Sequence, residues 1–280
     1  MKYDTVAKSF SILPPPPHVT WGSASSWLNG KYYLIGGYNS SKMVVYDPVT
    51  NTWATLADSP RPGFVETVTV NGKIYMIGGT SGGVTGYYSA CSVFDPSSGW
   101  SALPSLPNPR GRAALVTEGD NIYVIGGVGS SSGTATNSIY KFNTLTSTWS
   151  ILPSMLTNRS YPYAVLHDGH IYITGGSFQS DQSSFERYQI STSSWVTLPP
   201  LELSGARATY IVYQHGSIYA PNNSQRFDLE KNQWFTFLSN PESRWGFPVS
   251  VNGKIYWVPN GAQGLNSFSV YEYNYSKEGK

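Results

Sequence analysis

Cysteine is all but absent: Cys91 stands alone in 280 residues, so no internal disulfide framework can staple the chain, and a reducing compartment is expected. Charge is scarce too. Asp, Glu, Lys and Arg make 12% of the residues, about half the usual share for a globular domain. They balance to a net +2, too weak a field to argue for nucleic acid or an anionic membrane as partner. No apolar run reaches the roughly 18 residues of a membrane span, and Met1–Lys8 lacks the apolar core of a signal peptide. No membrane association and a cytoplasmic location are therefore expected. Helical periodicity is missing as well.

What the chain does have is Gly (28), Pro (19) and aromatic residues (15%), the profile of many short strands joined by turns and packed through rings. One stretch recurs. Asn71-Gly72-Lys73-Ile74-Tyr75-Met76-Ile77-Gly78-Gly79 has counterparts at 29–37, 119–127 and 168–176, with two worn copies at 215–221 and 252–259. Each reads as a tight turn feeding a short apolar strand that ends in glycines. Six copies at steps of about 40 to 50 residues indicate a repeat architecture.

Strand signals come in fours, called a to d here. In the second unit Gly63 to Val70 reads as strand a, Lys73 to Gly79 as b, Ser89 to Asp95 as c and Gly99 to Leu103 as d. The sixth unit has no fourth strand. Phe10-Ser11-Ile12-Leu13-Pro14 matches Trp149-Ser150-Ile151-Leu152-Pro153, and Tyr3-Asp4-Thr5-Val6 resembles Tyr46-Asp47-Pro48-Val49. Residues 8–13 are therefore expected to supply the outer strand of the last unit, which would leave no open edge.

Paired glycines ending strand b, a Tyr further on and a Trp about seven residues later resemble the kelch repeat, over essentially the whole chain. The resemblance implies an all-β, six-bladed β-propeller with four antiparallel strands per blade around a central channel. The chain is expected to be one domain, 1–280, with blades at about 15–57, 58–104, 105–153, 154–199, 200–238 and 239–275 plus strand 8–13. Ala220-Pro221 and Val258-Pro259 depart from the glycine pairs.

In such a fold the b–c and d–a connections share one face, and the variable b–c loops suit binding. Six of the eight arginines, Arg61, Arg110, Arg112, Arg159, Arg207 and Arg244, fall in the d–a connections or the start of strand a; blade one has His18 there. A ring of guanidinium forks at a channel mouth suits carboxylate or phosphate. The competing expectation is that these arginines bond carbonyls within the scaffold. Counting five residues back from each a–b turn gives Ala24, Glu66, Ala114, Tyr163, Tyr210 and Phe247. Two residues earlier stand Gly22, Phe64, Arg112, Tyr161, Ala208 and Trp245. Tyr163, Tyr210, Phe247 and Trp245 would form an aromatic wall opposite small residues. Glu66, the lone carboxylate, is expected as an ion-pair partner, with a ligand or catalytic role as the alternative.

Catalytic motifs are weak. Gly129-Ser130-Ser131-Ser132-Gly133 matches a nucleophile-elbow pattern by chance, because no helix follows it. His167 and His170 flank a turn rather than a metal site, no zinc spacing or phosphate loop occurs, and neither metal nor cofactor is expected. Cys91 on a c strand does not fit the copper oxidases of the family. The sialic-acid mutarotase type is similar in its mouth Arg and Glu residues, with Glu66, Arg61 and Arg112 as acid/base and clamp. The leading expectation is a monomeric binding module for a protein or acidic peptide, more a recognition domain than an enzyme. Its ligand residues would be Arg61, Arg112, Arg159, Arg207, Arg244, His18, Tyr163, Tyr210, Phe247 and Trp245. A small-molecule mutarotase or epimerase acting on an anionic sugar is the alternative.

Overall fold

A computed structural model describes residues 2–4, 6–7, 9–18, 20–81, 86–129, 133–176, 183–202, 210–220, 224–236, 246–251, 254–259 and 271–273. Its order begins with β1 (Lys2–Asp4) and β2 (Ser9–Ser11), an antiparallel pair on their own. Four-stranded sheets follow. The first holds β3 (Ala24–Leu28), β4 (Lys31–Ile35), β5 (Met43–Asp47) and β6 (Thr52–Thr55). The second holds β7 (Phe64–Val70), β8 (Lys73–Thr80), β9 (Cys91–Asp95) and β10 (Gly99–Leu103). The third comprises β11 (Ala114–Glu118), β12 (Asn121–Ile125), β13 (Ile139–Asn143) and β14 (Thr148–Leu152). The fourth comprises β15 (Tyr163–His167), β16 (His170–Thr174), β17 (Phe185–Gln189) and β18 (Ser194–Leu198). The fifth is β19 (Val212–Gln214), β20 (Ser217–Ala220), β21 (Gln225–Asp228) and β22 (Gln233–Thr236). Three strands close the list: β23 (Gly246–Val251), β24 (Lys254–Pro259) and β25 (Tyr271–Tyr273). Among the described residues every strand is a meander neighbour of the next within its sheet, and none of the structure is helical.

The sequence dictates this locally. Four a–b turns place two consecutive residues in the left-handed region, Asn29-Gly30, Asn71-Gly72, Asp168-Gly169 and His215-Gly216, which matches the right-handed twist of a hairpin. The c–d turns open on a side-chain cap: Asp47, Asp95, Asn143 and Asp228 each accept a backbone N–H two residues on through Oδ1. The glycine pairs have two separate reasons to be glycine. Gly78 sits at φ 58°, and a Cβ there would lie 2.2 Å from the Arg110 carbonyl oxygen. Its neighbour Gly79 donates its N–H to that same oxygen at 2.7 Å, and Gly127 does the same to Arg159 O at 2.8 Å.

The contacts divide into two compact units, residues 1–122 with 128–134 and 142–150, and residues 123–127 with 135–141 and 151–280. In the first, Leu28, Tyr33, Ile35, Met43, Val65, Ile74, Met76 and Phe94 form a buried cluster. In the second, Tyr172, Phe185, Leu198, Leu201, Ile211, Ile218, Phe227 and Trp234 do so. The d-strand tryptophans tie one sheet to the segment leaving the one before. Trp53 Nε1 donates to Pro14 O at 2.8 Å, Trp149 to Pro104 O at 2.9 Å, Trp195 to Pro153 O at 2.9 Å and Trp234 to Pro199 O at 2.8 Å. Trp100 is the exception, its buried Nε1 having no partner where the preceding strand runs on as Leu56-Ala57 instead of Leu-Pro.

The expected bounds of β10 match the observed ones, and β7, β8 and β9 differ from expectation by one or two residues at an end. Residues 9–11 pair with 2–4, Tyr3 opposite Phe10, in the register that sets Tyr46 opposite Trp53, and β23, β24 and β25 form a three-stranded sheet.

Candidate functional site

Two of the arginines expected to face a ligand point inward. Arg61 lies 7% exposed; its Nε donates to Gly78 O (3.1 Å), Nη2 to Met76 O (3.2 Å) and Nη1 to Ser92 Oγ (3.3 Å). Arg159 is fully buried. Its Nη1 donates to Gly175 O at 2.8 Å, and its Nη2 reaches Ser184 O, Ser184 Oγ and Glu186 Oε1 at 2.9, 2.7 and 2.9 Å. Arg61 and Arg159 thus grip the carbonyl of the first glycine of the pair, Gly78 or Gly175, across their own blade. A buried guanidinium costs free energy unless its donors are paired; Nη1 and Nη2 of Arg159 are paired, while its buried Nε is not. Burial pulls both pKa values down, in Arg159 against the opposing pull of Glu186. Both guanidinium groups are thus bonded to backbone carbonyls of their own sheets. Arg110, also buried, contributes the carbonyl that Gly79 bonds.

Arg112 is placed otherwise. It is half-buried, at φ 59°, and its Cζ stands 6.0 Å from the centre of the Tyr87 ring. Tyr161 takes the same place two residues after Arg159, at φ 54°. The other described non-glycine residues with positive φ are Asn, Asp, His or Ser, in or beside turns. An Arg or a Tyr gains nothing from that conformation and bears a cost of order 1 kcal/mol. Both residues precede strand a by two positions, as Gly22 (φ 75°) precedes β3. A left-handed residue thus recurs at the same place before strand a.

The expected ion pair of Glu66 is not what the structure contains. The Glu66 Oε1 accepts the backbone N–H of Arg112, and Ala113 N–H also favours its charged form. Oε2 is buried and has no hydrogen-bond partner. Burial is the larger effect and pushes the carboxyl up to about 8, so it is chiefly neutral at pH 7. The sheet register shifts between Phe64 and Glu66, a bulge that re-aims the strand beside it.

In the second unit, the Tyr163 and Tyr210 rings lie 4.3 Å apart, which brings together two of the expected wall residues. Burial first, and then Tyr210, raise the Tyr163 pKa. His18 is exposed at the start of blade one. Phe247 lies on β23, whose backbone alone is described, and Arg207, Arg244 and Trp245 lie outside the described residues. Among the described residues no three His, Cys, Asp or Glu side chains gather as a metal site would require. Cys91, on β9, is buried and its thiol pKa raised by that burial.

Reading from sequence overlooked Trp21, Tyr38 and Tyr87. The sequence signal for the first two is an adjoining glycine, Gly22 or Gly37, and the structure gives both a positive φ.

Residues 22–220 match the KLHDC2/KLHL20/DRC7 Kelch-repeats domain, well over half of the chain. The chain belongs to this kelch-repeat family. Its relatives include Kelch-like protein terF of Aspergillus terreus, 28% identical over 166 residues, which are 52% of this chain and 36% of that protein. F-box protein AFR of Arabidopsis thaliana is 31% identical over 136 residues, 41% of this chain and 36% of that one. Beta-scruin of Limulus polyphemus is 31% identical over 120 residues, 38% of this chain and 13% of its own. The kelch chain thus spans about a third or less of the length of these curated relatives. Kelch-repeat relatives generally mediate protein–protein interactions, and the all-β sheets are those of a kelch β-propeller.

Proposed function

We propose that the chain is a protein-recognition module that takes an acidic peptide segment on the face built by its d–a and b–c connections. The observation that supports this best is Arg112, held half-exposed in a left-handed conformation that its residue type does not favour, beside the b–c residue Tyr87. Arg112→Ala should weaken binding of a fluorescent Glu/Asp-rich peptide about tenfold or more, since a charge-assisted hydrogen bond contributes roughly 1.5–3 kcal/mol. Anisotropy titrations giving equal affinity for the variant would reject the reading.

A second reading has its own support. Glu66, neutral near pH 7 and within a blade of Arg112, has the character of a proton donor to an anionic small molecule such as an acidic sugar. Glu66→Gln that abolishes turnover of a bound sugar while leaving its binding intact would favour this enzyme.

We infer further a six-bladed closure, with residues 8–13 completing the last blade as a monomer. Pro14 supports it, because its carbonyl accepts from Trp53 as the d-strand prolines of later blades accept from theirs. Deletion of residues 1–14 should lower the melting temperature by several degrees; an unchanged value would reject the closure.

A further inference from the structure

The first unit carries an aromatic patch that none of its core explains. Trp21 is 79% exposed and Tyr38 is 50% exposed, yet both are held fast. Tyr38 N–H donates to Trp21 O at 2.9 Å, and Ser23 N–H donates to Thr20 O. Thr20 and Ser23 both hydrogen-bond Gly36 O through their hydroxyls. Between the two exposed rings lies Phe64, its centroid 5.0 Å from Trp21 at a near-perpendicular 84° and 6.2 Å from Tyr38. Gly22 makes room for it, because a Cβ there would lie 2.2 Å from the Phe64 ring. Rigid rings left in water on a locked turn are preorganised contact area, the character of a binding hot spot.

Two residues along β7 from Phe64 is Glu66, whose Oε1 holds the Arg112 backbone. Its carboxyl is chiefly neutral at pH 7. Asp58 is paired with Lys42 at 3.0 Å. Two residues of extended strand span about 6.5 Å, the distance over which a peptide could seat a ring on one feature and a carboxylate on the next.

We propose that Trp21, Tyr38 and Phe64 form an anchor site for an aromatic side chain of an extended partner peptide, whose Asp or Glu within two residues meets Arg112. The proposal rests on the reading that this face recognises acidic peptides, and it names the second determinant that such a peptide carries. Aromatic anchor and acid together would set specificity, whereas a guanidinium alone accepts any carboxylate.

The test pans a random peptide phage library on the full chain and measures the enriched sequences, as synthetic peptides, by titration calorimetry. Trp21→Ala and Tyr38→Ala alter exposed side chains, so both should melt as the parent does. The expected result is peptides with an aromatic residue and an Asp or Glu within two positions. Their affinity should fall at least tenfold with Trp21→Ala and with Arg112→Ala, and also when the peptide's own aromatic residue is replaced by Ala. Peptides that lose affinity for Arg112→Ala but not for Trp21→Ala would overturn the anchor site and leave acidic recognition standing. No enrichment, or an affinity that neither variant lowers from that of the parent, would overturn both.

Discussion

At the scale of the residue, the molecule places two carboxyls in opposite circumstances. Glu186 is 1% exposed and ion-paired, with Arg159 on Oε1 and the Leu156 N–H on Oε2 at 2.7 Å. Removing one partner of such a pair strands the other, so Arg159→Met should destabilise by about 3–5 kcal/mol in urea unfolding. Arg159→Met with Glu186→Leu should recover much of that loss, because no buried charge then remains unpaired. Glu66 is half-buried, with a buried and unpartnered Oε2 instead, and its pKa of about 8 lies above the unfolded value. Between those two values the folded state binds the extra proton, so stability is full below the unfolded pKa and falls as pH rises towards 8. The slope can reach at most about 1.4 kcal/mol per pH unit for one group. Melting temperatures from pH 5 to 9 should fall less steeply in Glu66→Gln than in the parent; parallel curves would assign the slope to other groups.

At the scale of the element, the strands were legible because their turns have few chemical solutions. Asn71-Gly72 announces a two-residue hairpin, and the unbroken apolar run after it marks β8 as a strand buried on both faces. The arginines were less legible. Sequence spacing puts Arg61 and Arg159 at the same corner as Arg112, but a seven-atom side chain can fold back on its own sheet or reach outward. That choice depends on whether a glycine carbonyl is left unpaired within reach, which no periodicity records. The left-handed turns at Arg112 and Tyr161 were hidden for a related reason, since the residue that usually flags them, glycine, is absent there. Substitution separates the two uses of glycine. Gly72→Ala meets no atom within 4 Å and bears only the positive-φ cost, of order 1 kcal/mol. Gly78→Ala adds a clash with the Arg110 backbone and should lose clearly more stability in the same urea titration.

At the scale of the whole molecule, the exposed ion pairs among the described residues contribute little to stability. The pairs Lys31–Asp47, Lys42–Asp58 and Lys73–Asp95 all lie at the surface, with the lysine side chains 44–49% exposed. Exposed pairs of this kind are held weakly and are screened by salt. Raising sodium chloride from 0.05 to 1 M should therefore leave the denaturation midpoint nearly unchanged, read by fluorescence-monitored denaturation. A larger loss would mean that surface electrostatics matter more than rings and backbone pairing.

The tryptophan bridges have an optical consequence. Trp53, Trp149, Trp195 and Trp234 each end on the carbonyl of a segment leaving the preceding sheet, while the indole N–H of Trp100 has no acceptor. Indole emission responds to what its N–H touches, so each junction carries its own lamp, with one unbonded lamp for reference. Variants keeping a single one of these tryptophans would show whether the junctions part together or one after another, without any label attached to the protein.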